Sequence, residues 1–224
     1  GDRKPDHCGR DRRMTVTEIR PVTKTRSQVY VEGQPAFVLY NGELSRYHIR
    51  ESEEIPLSIW EEITGELLIK RSRKRALNLL LKGDRTRSQL LQKLQTDGYP
   101  MEIAEQAVEY AESFGYIDDR RYAENYLNGS GAKKSRMAAR IELTRKGIDP
   151  ELIDRLMEEQ IETEEDSERE KVRTLAWKRL GPAHRLDEKE YRRIYSYLAR
   201  RGFTSSDILS VLEEYQKNTL EYDE

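Results

Sequence analysis

Apolar residues recur with a helical period over most of this chain, and one figure occurs three times. Leu94-Gln-Thr-Asp-Gly98-Tyr99, Leu143-Thr-Arg-Lys-Gly147-Ile148 and Leu198-Ala-Arg-Arg-Gly202-Phe203 each read as Leu, three residues, Gly, then a large apolar residue. Their flanks match as well. Eight positions before the Gly stand Leu90, Ala139 and Ile194, and six after it stand Ala104, Ile153 and Ile208. Nine and ten after stand Ala107/Val108, Leu156/Met157 and Val211/Leu212. These spacings line one face of a helix on each side of the Gly. A Gly after a polar turn, followed by an apolar residue, predicts a helix end in which the Gly is left-handed and the next side chain packs back. Three unrelated helix ends would not share their flanks; tandem three-helix modules do.

The remaining pattern fills in the chain. Residues 1–13 are polar and charged and are expected to form a disordered arm. Residues 14–55 alternate at Thr15 to Ile19, Val29/Val31 and Phe37/Leu39, with Asn41-Gly42 as a hairpin-type turn signal. They predict a small β-rich segment of three or four short strands, too small to stand alone and expected to pack on the helices that follow. From Pro56 the period becomes helical, and residues 56–73 are read as a linking helix through Ile59, Trp60, Ile63, Leu67 and Leu68. Repeat 1 spans 74–116, with helices through Ala76 to Leu81, Gln89 to Gln95 (N-capped by Ser88), and from Pro100 to a stop at Gly115. Repeat 2 spans 117–167, its first helix capped by an Asp of Asp118-Asp119 and its third started by Asp149-Pro150; the acidic stretch Glu158–Glu170 is read as a solvated helix or linker. Repeat 3 spans 168–224, through Val172/Ala176, Tyr191/Ile194 and Ile208/Val211. The expected fold is mainly α: tandem three-helix repeats in an elongated, curved array with a small N-terminal β appendage.

Composition supports an array over one thick globule, since charged residues make up 37% of 224 and hydrophobic residues 36%. The single Cys8 excludes a disulfide framework and fits a reducing cytosol. No apolar run approaches the roughly 20 residues of a membrane span. A cytoplasmic protein is expected. The net charge of −2 conceals a local alternation. First and second helices are basic, supplying Arg71, Arg73, Lys74, Arg75, Arg85, Arg87, Lys133, Lys134, Arg136, Arg140, Arg145, Lys146, Lys178, Arg179, Arg192 and Arg193. Third helices are acidic, with Glu102, Glu105 and Glu109 in the first, Glu151 and Asp154 in the second, and Asp207 and Glu213 in the last. Stacked in line, the modules would show a basic ridge suited to a polyanion and an acidic one suited to a basic protein surface. Phosphate contacts of this kind give affinity without sequence choice. Solvated faces with balancing ion pairs are the alternative.

No catalytic, cofactor or metal site is expected. Gly129-Ser-Gly131-Ala-Lys133-Lys134-Ser135 lacks phosphate-loop spacing and follows a helix, so it is read as a turn. His7, His48 and His184 stand in unrelated contexts, and the adjacent His7-Cys8 has no second ligand pair. Gly98, Gly115, Tyr116, Asp118, Asp119, Gly147 and Gly202 are read as structural, while Tyr116, Tyr122 and Tyr126 are also weighed as a base-stacking surface.

Four stretches together resemble the RecX family of regulators of the RecA recombinase. They are Ala76-Leu77-x-Leu79-Leu80, Ser88 to Leu94, Gly115-Tyr116-Ile117-Asp118-Asp119-x-x-Tyr122-Ala123, and Arg145-Lys146-Gly147-Ile148. The third repeat fits that family's tandem three-helix architecture, and the β segment resembles an extension of some members. The long acidic stretch Glu158–Glu170 departs from it. The resemblance implies a non-enzymatic, monomeric regulator of homologous recombination and DNA repair, within the SOS response. It would bind the RecA–DNA filament in its groove, contact single-stranded DNA, with double-stranded DNA as a further candidate, and inhibit ATP hydrolysis and strand exchange or change filament stability. A non-sequence-specific DNA-binding helical repeat and a protein scaffold without DNA contact stay open.

Overall fold

The structure, a computed structural model, describes residues 14–161 and 167–220. The arm at 1–13, with His7 and Cys8, and the middle of the acidic stretch lie outside the described residues. The chain divides into two compact units, 14–84 with 90–117 and 85–89 with 118–220.

The first unit opens with an antiparallel sheet in the order β1 (Val16–Pro21), β2 (Arg26–Val31) and β3 (Gln34–Tyr40). Glu32 and Gly33 both have positive φ, the backbone that lets a two-residue turn follow the twist of a hairpin. Val29 pairs with Phe37 and Ser27 with Leu39. This register aims Val29, Val31, Phe37 and Leu39 at one face, where they share a core with Ile63, Leu68 and Ile103. The sheet therefore does lean on the helices.

Asn41-Gly42 is not a hairpin turn. These residues begin a short helix, α1 (Asn41–Arg46), because Glu43 accepts a hydrogen bond from the Tyr40 N–H (2.9 Å) and, among the described residues, no strand follows to complete a hairpin. The Asn41 side chain instead ties back to β2, accepting from Ser27 Oγ at 2.9 Å.

α2 (Leu57–Glu62), a π-helical turn (Ile63–Leu67) and α3 (Leu68–Leu81) form one unbroken helical run. No Gly or Pro interrupts it after Gly65, so the helix passes residue 73 without a break. α4 (Arg87–Thr96) is capped by Thr86, not Ser88. Thr86 Oγ1 accepts from the Gln89 N–H and the Gln89 side chain accepts from the Thr86 N–H, both at 3.1 Å, a complete capping box. α5 (Met101–Ser113) follows Pro100 and closes the first unit's second core, built on Leu79, Leu90, Leu94, Ala104 and Ala107.

The second unit holds α6 (Asp119–Asn128), α7 (Arg136–Arg145), α8 (Pro150–Ile161), α9 (Ser167–Leu180), α10 (Glu188–Arg200) and α11 (Ser205–Leu220). Asp118 caps α6 through the Arg121 N–H, Ser135 caps α7 through the Ala138 N–H, and Asp187 caps α10. One core joins Ala123, Leu143, Ile153 and Leu156; another joins Val172, Ile194, Leu198, Ile208 and Tyr215.

The thrice-repeated helix end is the same object each time. The N–H of Tyr99, Ile148 and Phe203 returns to the carbonyl of Leu94, Leu143 and Leu198 at 3.2, 3.2 and 3.4 Å. Gly98, Gly147 and Gly202 have φ of 99, 84 and 87°. Each is also a seat for an earlier segment. A Cβ on Gly98 would stand 2.3 Å from Val38, one on Gly147 2.3 Å from Ser88, and one on Gly202 2.8 Å from Ser135. The joint is completed by buried hydroxyls: Thr86 donates to the Lys146 carbonyl and Ser135 to the Arg201 carbonyl, both at 2.6 Å. The residue that caps one helix thus also satisfies the helix end of a later repeat.

Candidate functional site

The basic first and second helices meet the acidic third helices in part. Arg140 of α7 pairs with Asp154 of α8 at 2.6 Å, and Arg173 of α9 with Glu214 of α11 at 3.0 Å. Hydrogen bonding by Arg140 holds the Asp154 carboxyl below its usual range. Lys134 pairs with Glu142 and reaches the Tyr126 hydroxyl at 3.2 Å; Arg192 pairs with Glu188. In the first unit Arg71 pairs with Glu43, and Arg75 and Lys93 share Asp97 at 2.7 and 2.8 Å. Burial pushes the Asp97 carboxyl up, but these two cations outweigh it and hold it low. The Arg136 guanidinium donates to the Met157 carbonyl at 2.8 Å, which secures α7 to α8. Part of the charge alternation is therefore a scaffold of cross-helix pairs.

Other candidates rest on aromatic rings. Arg73 lies 4.7 Å from the centroid of Tyr110 and Arg179 lies 4.2 Å from that of Tyr197. Arg201, not singled out in the sequence, lies 4.5 Å from that same ring. The signal was present in the third Leu-x-x-x-Gly copy, where Arg200-Arg201-Gly202 stands in the place of Arg145-Lys146-Gly147.

Lys74, Arg85, Lys133, Arg145, Lys146, Lys178 and Arg193 have no ion-pair partner among the described residues. Folding brings several together. Lys133 and Lys178, far apart in sequence, border one concavity of about 780 Å³ with Lys171. Lys133 also borders a second, of about 430 Å³, with Lys134, Arg200 and Arg201. Met137 and Ile141 line that one, exposed by 59% and 45% on the outer face of α7. A third, of about 570 Å³, gathers Arg179, Arg192, Arg193 and Arg200. Each lining also holds one carboxylate, Glu170, Glu142 and Glu190 in turn, so cations outnumber acids in all three, and such concave surfaces concentrate counter-anions.

The tyrosines divide. Tyr126 is buried, and Tyr122 is partly buried against the second unit's core. Tyr116 is half exposed and stacks on Phe114 at 5.8 Å. Both aspartates of the Gly115–Ala123 stretch are occupied by backbone: Asp118 caps α6, and Asp119 accepts the Arg87 N–H at 2.8 Å, with burial raising its pKa. Gly131 packs on the Tyr126 ring and Ser135 caps α7, so the Gly129–Ser135 segment is a turn before a helix. His184 Nδ1 lies 3.0 Å from the Pro182 carbonyl and 3.1 Å from the Tyr215 hydroxyl, a local structural cluster. Among the described residues no three His, Cys, Asp or Glu side chains converge on a metal-sized point, and no helix is long and apolar enough to cross a membrane.

Known proteins place this arrangement. Family models for the first, second and third three-helix domains of RecX match residues 73–110, 118–157 and 166–212. The chain is 36% identical over 143 residues to the regulatory protein RecX of Trichlorobacter lovleyi, covering 62% of this chain and 92% of that one. It is 27% identical over 205 residues to the regulatory protein RecX of Clostridium acetobutylicum, covering 90% and 95%. Among solved structures, a regulatory protein RecX superposes with a TM-score of 0.59 at 21% identity, over 89% of this chain and 99% of that one. RecX from Lactobacillus salivarius superposes with a TM-score of 0.55 at 23% identity, over 66% and 96%. Three consecutive domain matches and a relative matched over nearly its whole length lead to one conclusion: the chain belongs to the RecX family of regulatory proteins.

Proposed function

We propose that this protein regulates the RecA recombinase by binding the RecA–DNA filament, where it lowers ATP hydrolysis and strand exchange and so restrains recombination and repair. It works by occupancy, with no chemistry of its own, as a cytoplasmic monomer. Membership of the RecX family is the observation that carries this reading. The unpaired cations support it. Lys133, Arg145, Lys178 and Arg193 can meet phosphates without breaking any internal pair, and their contacts would be sequence-independent and salt-sensitive. Single-stranded DNA is the primary nucleic-acid partner and duplex a weaker one.

A second reading, a DNA-binding helical module indifferent to the recombinase, draws on those same basic concavities. Binding to RecA-coated and to bare single strands separates the two. Filament regulation predicts clearly tighter binding to the coated strand, and equal affinities would favour the second reading. Charge changes for this purpose belong at Lys133, Arg145 and Lys178. At Arg136 and Arg140 they would test α7–α8 packing instead, since both arginines are engaged there.

A further inference from the structure

A basic cleft of about 680 Å³ lies within the first unit, between the sheet and α3. Arg26 and Tyr40 border it from the sheet, Lys70, Arg71, Lys74 and Arg75 from α3, and Asp97 and Tyr99 from the turn after α4. Asp97 is the sole carboxylate of the lining, and it is already neutralised by Arg75 and Lys93. Arg71 is fixed by Glu43 and lies 5.0 Å from the Tyr40 centroid. Arg26, Lys70 and Lys74 have no ion-pair partner among the described residues.

This packing of charge is unfavourable on its own terms. Lys70 and Lys74, both without an ion-pair partner among the described residues, are a like-charge pair one turn apart on the same helix, whereas Arg71 and Arg75 are offset by Glu43 and Asp97. Like charges at that spacing repel, with Cβ atoms about 5–6 Å apart. That separation is comparable with the distance between successive phosphates of an extended strand, so a bound polyanion would relieve the repulsion. A cleft of this volume admits a nucleotide-sized segment, whereas a duplex carries its phosphates on a convex rod. Tyr40, 46% exposed, adds a ring beside the cations. Arg26, Tyr40, Lys70 and Arg71 all precede residue 73, where the first RecX domain match begins.

We propose that this cleft holds the phosphodiester backbone of single-stranded nucleic acid, with Arg26, Lys70 and Lys74 contacting phosphate, Arg71 and Arg75 pre-positioned beside them, and Tyr40 supplying a face for a base. The site deepens the reading of the protein as one that acts on DNA, on which it rests, and gives the N-terminal sheet a direct part in binding. No base edge is read, so binding is tolerant of sequence.

The test uses the full chain and fluorescence anisotropy of a labelled oligothymidylate across a salt series, comparing wild type, K70Q/K74Q and R26Q. The double variant is expected to bind roughly tenfold more weakly and to lower the salt slope by about 1.4, two phosphate contacts on a single strand. R26Q is expected to bind several-fold more weakly. Thermal stability of K70Q/K74Q should hold or rise as repulsion is relieved, whereas a merely structural role would lower it. Affinity and slope matching wild type would overturn the proposal. Inorganic pyrophosphate is the competing probe. Weak displacement supports a strand, and displacement at micromolar concentration would overturn it in favour of a free phosphate ligand. RecA ATPase with the wild-type protein is read separately. Loss of oligothymidylate binding in K70Q/K74Q alongside no wild-type effect on RecA would keep the cleft and reject the regulatory reading.

Discussion

Gly147 meets two demands at once: a left-handed backbone at φ 84°, and the near approach of Ser88, which leaves no room for a Cβ. Gly181 meets only the first, with φ 78° and open space where a Cβ would stand. Gly181→Ala should therefore cost about 1 kcal/mol of backbone strain. Gly147→Ala should cost about 2–4 kcal/mol, because overpacking is added to strain. Denaturant unfolding of the two variants checks this, and equal losses would show that the Ser88 contact is soft. The helix-ending role of Gly147 was legible in the sequence from its polar turn and the apolar Ile148. The second demand was not, because Ser88 comes from a distant stretch of chain and no local pattern marks the approach. Asp97 gives a pH-dependent counterpart. Its native pKa lies below that of the unfolded chain, so its pairs stabilise the protein above the ordinary carboxylate range. That contribution fades as pH falls through the lowered native value. Asp97→Asn should cost about 1 kcal/mol at about pH 7, and that cost should shrink as pH falls through the lowered native value; the same loss at every pH would contradict the assignment.

Element by element, the boundaries that chain chemistry dictates were readable. The ends at Gly98, Gly147 and Gly202, the start at Pro100 and the cap at Asp118 all follow from groups within one helical turn. Errors arose where two local solutions compete. Thr86 and Ser88 both offer a hydroxyl before α4, and the choice falls to Thr86 because Gln89 can reciprocate and because its hydroxyl is needed by the Lys146 carbonyl. Asn41-Gly42 is a sound hairpin signal with no strand after it among the described residues, so Glu43 wins the chain for a helix. These caps carry a prediction. Thr86→Ala and Ser135→Ala should each lower stability by about 1–2 kcal/mol, since each removes a cap and leaves a carbonyl short of its donor. Thr86→Ser should restore most of the loss. Thermal unfolding checks this, and a Ser variant as weak as the Ala variant would shift the credit from the hydroxyl to the methyl group.

For the whole molecule, family-level architecture was legible because three copies of one figure, with matching flanks, can hardly be anything but modules. Which cations are free was not legible. Composition shows that bases and acids alternate by helix, but whether Arg140 faces solvent or Asp154 depends on how α7 and α8 pack. The structure reduces the sixteen sequence candidates to a smaller set without ion-pair partners among the described residues, and places Lys133 and Lys178 on one concavity. Lys133→Gln, Arg145→Gln and Lys178→Gln combined should leave unfolding within about 0.5 kcal/mol of wild type, as surface changes without partners do. The most direct measurement of the account is RecA ATP hydrolysis on single-stranded DNA, titrated with sub-stoichiometric wild-type protein and with this triple variant. The account predicts that wild type lowers the rate and that the folded triple variant needs a markedly higher concentration for the same effect. A RecA rate untouched by the wild-type protein at any concentration would contradict it.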